Sequence, residues 1–256
     1  MNVSEHNKYA WDKEVNTGCQ WTVPVTSDDI RRVKDGEYTI KLSPRKLVPK
    51  EWIGDIAGKK VLCLASGGGQ QGPLFAAMGA DVTVFDNSPL QLGQDEMVAK
   101  RDHLNIHTQQ GDMRDLSVFP DNAFDVIYHP ISNCFVEDIG RVWAECYRVL
   151  KRHGVLLSGF WNPINYIFDM DEWYNKKNLV IRYSIPYSDV VQLSEEKLAE
   201  AVRDGEPLEF GHSLESQIGG QIKAGFIIGG FYEDSFEDDL LTQYMDTVIV
   251  TKAVKL

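Results

Sequence analysis

Six residues, Gly67-Gly68-Gly69-Gln70-Gln71-Gly72, constrain this 256-residue chain more than any others. They follow the apolar run VLCLA and precede PLFAAMGA. The first reads as a short buried strand and the second as a helix. Pro73 falls in that helix's first turn, where a missing N–H costs nothing. A glycine hinge between strand and helix leaves the helix's first N–H groups free at the strand end, where they favour a negative group.

The pattern then repeats without glycines. DVTVFD reads as a second strand and SPLQLGQDEMVAKRDH as an amphipathic helix capped by Ser88. IHTQQGD and FDVIYHP read as the third and fourth strands. VEDIGRVWAECYRVLKRHG reads as a helix ending in basic residues and glycine, and GVLLSGFW as the fifth strand. Strands alternating with helices predict a doubly wound, parallel α/β sheet. After Trp161 the alternation stops. Residues 162–210 read as an insertion containing a polar helix around SEEKLAEAV. HSLESQIGGQIKAG then reads as a helix, and FIIGGFYED and MDTVIVTKAVK as the last two strands. Only about ten residues join those two strands, too few for a crossover helix, so the pair is expected to be antiparallel.

Residues 1–58 read as an extension ahead of the main domain, which is expected to span 59–256. A short helix is expected after Ser27 as its cap, with Asp28 and Asp29 in its first turn and Gly36 beyond its end. Pro44 and Pro49 break the chain beyond that helix, and KEWIGDI reads as a helical turn. Trp11, Trp21 and Trp52 suit packing, or a helical cap over a cleft.

G-x-G-x-x-G in this context, with Asp86 ending the next strand, predicts a cofactor containing adenosine. The loop itself is compatible with both NAD and S-adenosylmethionine. A P-loop is disfavoured, since no Gly-Lys-Ser/Thr closes it. Further residues separate the two cofactors. Gly111-Asp112-Met113 ends the third strand, FPDNAFDVIYH enters the fourth, and RVLKRHGVLL enters the fifth. This series resembles the class I S-adenosylmethionine-dependent methyltransferases, well over residues 59–161 and by topology over 212–256. That likeness implies a Rossmann-like sheet of about seven strands with an antiparallel final strand, plus the N-terminal helical extension. An NAD-dependent oxidoreductase would instead need an all-parallel sheet. A catalytically inactive methyltransferase-like binding protein is the other alternative. The chain departs from the family in carrying Cys63 where an acidic residue is usual, Ala65 where glycine is usual, and Gln70 and Gln71 in the loop.

The resemblance implies cofactor contacts from Ala65, Ser66, Gly67, Gly69, Gln71, Asp86, Asn87, Gln91, Asp112, Met113 and His129. Asp86 is expected to hold the ribose diol and Asp112 the adenine amino group, with Met113 on the ring. His129 and His212 are candidate catalytic bases, although His129 equally fits a purely hydrogen-bonding role. Asn133, Trp161, Tyr166, Trp173 and Tyr187 are candidates for the acceptor pocket, and the aromatic residues equally fit a small core of their own.

Charge bears on the acceptor. With 26 Lys+Arg against 38 Asp+Glu the net charge is −12, which disfavours nucleic acid and anionic membrane as partners. A small cationic or neutral molecule fits better. Most of the acidity lies after Trp161, and EDSFEDDL, its densest stretch, reads as a solvated loop. Four cysteines without a CxxC pair predict free thiols, a cytoplasmic setting and no metal site. No apolar run approaches the ~18 residues of a membrane helix.

Overall fold

The computed structural model describes residues 1–237 and 239–256; Asp238, within the EDSFEDDL stretch, lies outside them. Helix α1 (Val3–Thr17) is capped by Asn2, whose side chain accepts from the Glu5 N–H, and it ends on left-handed Gly18. In α2 (Ser27–Lys34) the cap is Thr26 rather than Ser27. Thr26 and Asp29 bond each other's backbone N–H groups, so the Asp29 carboxylate decides the start of the helix. A single turn, α3 (Lys50–Ile53), leads to the sheet.

β1 (Lys60–Leu64) enters the glycine loop and α4 (Gln71–Ala77) leaves it. β2 (Asp81–Asp86) precedes α5 (Pro89–Asp102), whose cap is Ser88: its Oγ accepts the Gln91 N–H at 3.1 Å. β3 (Ile106–Gln110) and β4 (Phe124–His129) come next. Asp138 caps α6 (Ile139–Val149), which buries Ile139, Val142, Trp143, Cys146 and Val149 along one face.

α6 stops at Val149, earlier than the basic Lys-Arg-His-Gly ending suggests. Residues from Leu150 onward already belong to β5 (Leu150–Trp161). Leu150 pairs with Phe124, and the register then shifts before Val155 pairs with Val126. His153 takes up the extra length in a left-handed conformation, φ 64°, with its N–H bonded to Lys255 O.

The insertion contains α7 (Met170–Lys176), β6 (Tyr187–Ser188), α8 (Asp189–Gln192), α9 (Glu195–Asp204) and β7 (Phe210–Gly211), with β6 and β7 forming a separate two-stranded pair. A π-helical turn over Glu215–Gly219 runs into α10 (Gly220–Ala224). His212 therefore precedes the helix instead of opening it. β8 (Ile227–Asp234) and β9 (Val248–Val254) complete the sheet.

The seven-stranded order is β3-β2-β1-β4-β5-β9-β8. β1 to β5 pair in parallel, while β9 runs antiparallel to both β5 and β8. The antiparallel final pair is as expected, and it separates this sheet from the all-parallel dehydrogenase type. The carboxyl ends of β1 to β5 share one edge, where ligands of such sheets bind.

Residues 1–58 do not fold apart from the sheet. Ile30, Val33, Ile40, Leu42, Val48, Ile53 and Ile56 share one core cluster with Val61, Val82 and Val250. EDSFEDDL is not simply a solvated loop either. Asp234 is fully buried, and its carboxylate accepts the N–H groups of Arg45 and Lys46. Two positions on, Phe236 packs edge-on against Trp21 at 5.9 Å.

Candidate active site

A cavity of about 610 Å³ opens over the carboxyl ends of β1, β2, β3 and β4. Its floor begins at the glycine loop. Ala65 turns the chain with φ 47°, and Gly68 and Gly69 continue it at 104° and 69°. Side chains from β2 and α5 hold this backbone in place. The Gly67 N–H donates to Asp86 Oδ2 at 2.9 Å, and the Gly69 N–H to Asp95 Oδ2 at 3.0 Å. A Cβ on residue 67 would lie 2.6 Å from the Gln91 Cβ, so only glycine fits.

Gln70 and Gln71 have a structural account. Gln70 Nε2 donates to the carbonyls of Gln20 and Val23, and Gln71 Oε1 accepts the Lys41 N–H. Both amides tie the N-terminal extension to the glycine loop.

Ala65, Ser66, Gly67, Gln71, Asp86, Asn87, Gln91, Asp112 and Met113 all line the cavity. Burial raises the Asp86 carboxyl, against the pull of the Ser88 and Gly67 N–H groups. Burial works the same way on Asp112, yet hydrogen bonds from Arg114 and Ser4 hold it below the usual carboxylate range. Gln91 Oε1 is buried without a hydrogen-bond partner among the described residues. Gly69 does not line the cavity; its N–H and C=O are spent on Asp95 and Val25.

The other predicted residues part company. His129 is fully buried and faces away from the cavity. Its Nδ1 lies 3.0 Å from Leu64 O, its Nε2 2.5 Å from Asn133 Oδ1, and its ring stands edge-on to Trp143 of α6. Neighbouring Tyr128 points the opposite way, lines the cavity and donates to Lys41 O. Alternation along β4 separates the two. Burial lowers the His129 pKa, so the buried ring favours its neutral form. Asn133 is buried between His129 and Gln217. His212 is buried too, its Nε2 against the carbonyls of Asn133 and Val136. Neither histidine reaches the cavity as a base.

Of the aromatic candidates, only Trp161 lines the cavity. Tyr166 and Tyr187 stack on each other at 5.5 Å in a small cluster with Cys134. Trp173 packs with Phe168 and Leu241. These three pack in two small cores that join the insertion to Cys134 and to Leu241.

Sequence reasoning offered a helical cap over a cleft but did not place its helix, and it missed one wall. Helix α1 lies across the cavity and lines it with Ser4, Lys8, Trp11 and Glu14. Their spacing puts them on one helical face, a signal the sequence did offer. Ser4 reaches Asp112, while Asp12 accepts from the Ser88 hydroxyl. The wall is Leu42, Ser43 and Pro44 from the extension, with Phe236 and Glu209 from far along the chain. No spacing rule connects those.

A glycine loop between β1 and α4, acidic residues ending β2 and starting the turn after β3, and an antiparallel last strand define an S-adenosylmethionine-dependent methyltransferase fold. Residues 62–158 match the family model described as a methyltransferase domain. The chain is 55% identical over 251 residues, 98% of its own length and 98% of the other's, to the Bacillus subtilis protein called Uncharacterized methyltransferase YbaJ. It therefore belongs to the methyltransferase family. It is also 30% identical over 140 residues to the Sterol 24-C-methyltransferase ERG6B of Gibberella zeae, a match covering 54% of this chain and 36% of that one. In fold it resembles an S-adenosylmethionine dependent methyltransferase from Mesorhizobium loti, with TM-score 0.61, 16% identity, and 80% and 95% of the two chains covered.

Proposed function

We propose that this methyltransferase acts on a small molecule and releases S-adenosylhomocysteine. One observation carries the reading. The groups suited to the cofactor and an aromatic wall suited to an acceptor line a single cavity roofed by α1. Its volume of about 610 Å³ falls within the ~300–1,000 Å³ of small-molecule sites. The net charge of −12 speaks against a nucleic-acid acceptor.

The residues present fit the cofactor. Asp86 offers a carboxylate to ribose hydroxyls, and the orphaned Gln91 Oε1 offers a further acceptor. Asn87 extends the same wall, Asp112 and Met113 suit an adenine, and Ala65, Ser66, Gly67 and Gln71 form the loop side. When bound, S-adenosylmethionine supplies an electrophilic methyl group on a positively charged sulfur. The chain's task is then to orient the acceptor and exclude water. Pro130, Ile131, Trp161 and Phe236 give an apolar surface for that.

We place this activity in the cytoplasm, which the four free thiols support. Among the described residues no helix is long and apolar enough to cross a membrane.

Three measurements test the reading. S-adenosylhomocysteine and S-adenosylmethionine should raise the melting temperature and NAD should not, because only ligands of the folded state stabilise it. Asp86→Ala should weaken S-adenosylhomocysteine binding by about tenfold or more, the loss of a charged hydrogen-bond acceptor. Methyl label from S-adenosylmethionine should pass into the low-molecular-weight fraction of a cell extract. Label confined to protein or RNA would refute the small-molecule acceptor, and stabilisation by NAD alone would refute the cofactor.

A further inference from the structure

Four carboxylates line the cavity: Glu14, Asp86, Asp112 and Glu209. Asp86 is held by backbone N–H groups and Asp112 by Arg114 and Ser4. Glu209 is different. Its Oε2 accepts from the Tyr166 hydroxyl at 2.7 Å, and no Lys or Arg pairs with it among the described residues. Its other oxygen has no hydrogen-bond donor there either.

Glu209 is also tightly positioned. Its N–H donates to Asp189 Oδ2 at 2.6 Å. The preceding Leu208 has both its N–H and its C=O bonded to the Asn7 side chain of α1. Tyr166 is pressed against Gly211, where a Cβ would lie 2.5 Å from the Tyr166 Cγ. The Tyr166 cluster packs against Phe135 and Trp161, both of which line the cavity. Phe135 meets Trp11 edge-on at 5.1 Å, and Trp161 lies 5.7 Å from Phe236. An unpaired carboxylate beside several aromatic rings is the chemistry that recognises an ammonium ion.

We propose that Glu209 marks the acceptor subsite, that the acceptor is a small amine bound as its ammonium ion, and that Glu209 takes the proton the amine must lose. This rests on the methyl-transfer reading above. The N–H bond breaks and its proton passes to the Glu209 carboxylate. The freed nitrogen lone pair forms the N–CH3 bond as the C–S bond breaks, and the pair from that bond stays on sulfur. The methylated product leaves as an ammonium ion, and Glu209 returns its proton to solvent. Burial pushes the Glu209 carboxyl up to about 7, the Tyr166 hydroxyl pulls it down, and Asp189 raises it. A base of that strength removes a proton from an ammonium far more readily than from an alcohol. Tyr166, Tyr174, Tyr187, Cys134 and Asp189 are the titratable groups around it among the described residues. Lys8 and Lys41 line the same cavity, and Lys41 Nζ turns to Pro44 O.

The test uses the full chain saturated with S-adenosylhomocysteine, reading the fluorescence of Trp11, Trp21 and Trp161. The probes are benzylamine, 2-phenylethylamine and pentylamine, each beside its alcohol. The amines should bind and the alcohols bind more weakly, and Glu209→Gln should weaken amine binding about tenfold or more, the cost of a charged hydrogen bond. The same substitution should leave the alcohols and S-adenosylhomocysteine unaffected. Equal binding of amines and alcohols, amine binding indifferent to Glu209→Gln, or no amine binding would each overturn the proposal. Calorimetry with S-adenosylhomocysteine on the unaltered protein reports separately on the methyl-transfer reading. Tyr166→Phe supplies a second variant. With an amine that accepts label, the acid limb of the rate profile should move to higher pH in Tyr166→Phe, and in Glu209→Gln it should give way to a limb set by the amine's own ionisation. An acid limb unmoved in both variants would also overturn the assignment.

Discussion

Asp234 is the residue whose charge the fold uses most directly. Its side chain is fully buried and accepts three N–H groups: the backbone of Arg45 and Lys46 and the Arg45 Nε. Burial alone would raise its carboxyl, but the Lys46 N–H, the Ser43 hydroxyl and the Arg45 N–H hold it at about 2. The segment it grips carries Leu42, Ser43 and Pro44 into the cavity wall. A folded-state pKa near 2, against ~3.9 unfolded, corresponds to about 2.5 kcal/mol of stability at neutral pH. Because the folded pKa is depressed, that stability is present above the unfolded value and lost as pH falls through the folded one. About half should remain at pH 3 and little below pH 2. Asp234→Asn keeps the shape but not the charge. It should cost ~2.5 kcal/mol at pH 7 by urea unfolding, with the gap to the unaltered protein narrowing toward pH 3. A gap that ignores pH, or one under ~0.5 kcal/mol at pH 7, would show that the charge contributes nothing.

Two further perturbations address the glycine loop and the histidines. Burial pushes Asp95 up to about 8, and its Oδ1 has no hydrogen-bond partner among the described residues. An acid with a raised folded pKa loses stability as pH rises, here between about 4 and about 8. Asp95→Asn, which can still accept the Gly69 N–H, should therefore melt higher at pH 8 and show no advantage at pH 4; a lower melting temperature at both would count against this account. His129→Gln should destabilise the fold by ~1–3 kcal/mol through unsatisfied buried groups, measured by urea unfolding, and leave the pH profile of methyl transfer in place. Loss of a limb of that profile would restore His129 as a base.

Much of the sheet was legible because it is local. Val61–Leu64 and Val126–His129 are short buried runs, Val82, Val84 and Phe85 are buried in β2, Ser88 and Asp138 cap the helices that come after them, and Gly67 meets the steric demand of its turn. Nine of the eleven residues expected at the cofactor line the cavity, the exceptions being Gly69 and His129. Gly69 spends its N–H and C=O on Asp95 and Val25, and His129 sits on the right strand with its ring on the other face. Spacing places a residue near a strand end, yet whether its side chain enters the cavity depends on what the other face packs against.

The amino-acid sequence by itself determined the class of fold, the glycine loop and the antiparallel close of the sheet. Each arises from short-range rules of turns, caps and connection length. Tertiary structure alone decided the far wall of the cavity. Ser4, Leu42, Glu209 and Phe236 meet only because α1 and the extension fold back over the strand ends. It also decided that Tyr166 and Tyr187 pack with Cys134 in a small core while Glu209 faces the cavity. Those choices rest on desolvation and on contacts between residues up to about two hundred positions apart, such as Asn7 with Leu208. No local pattern encodes them.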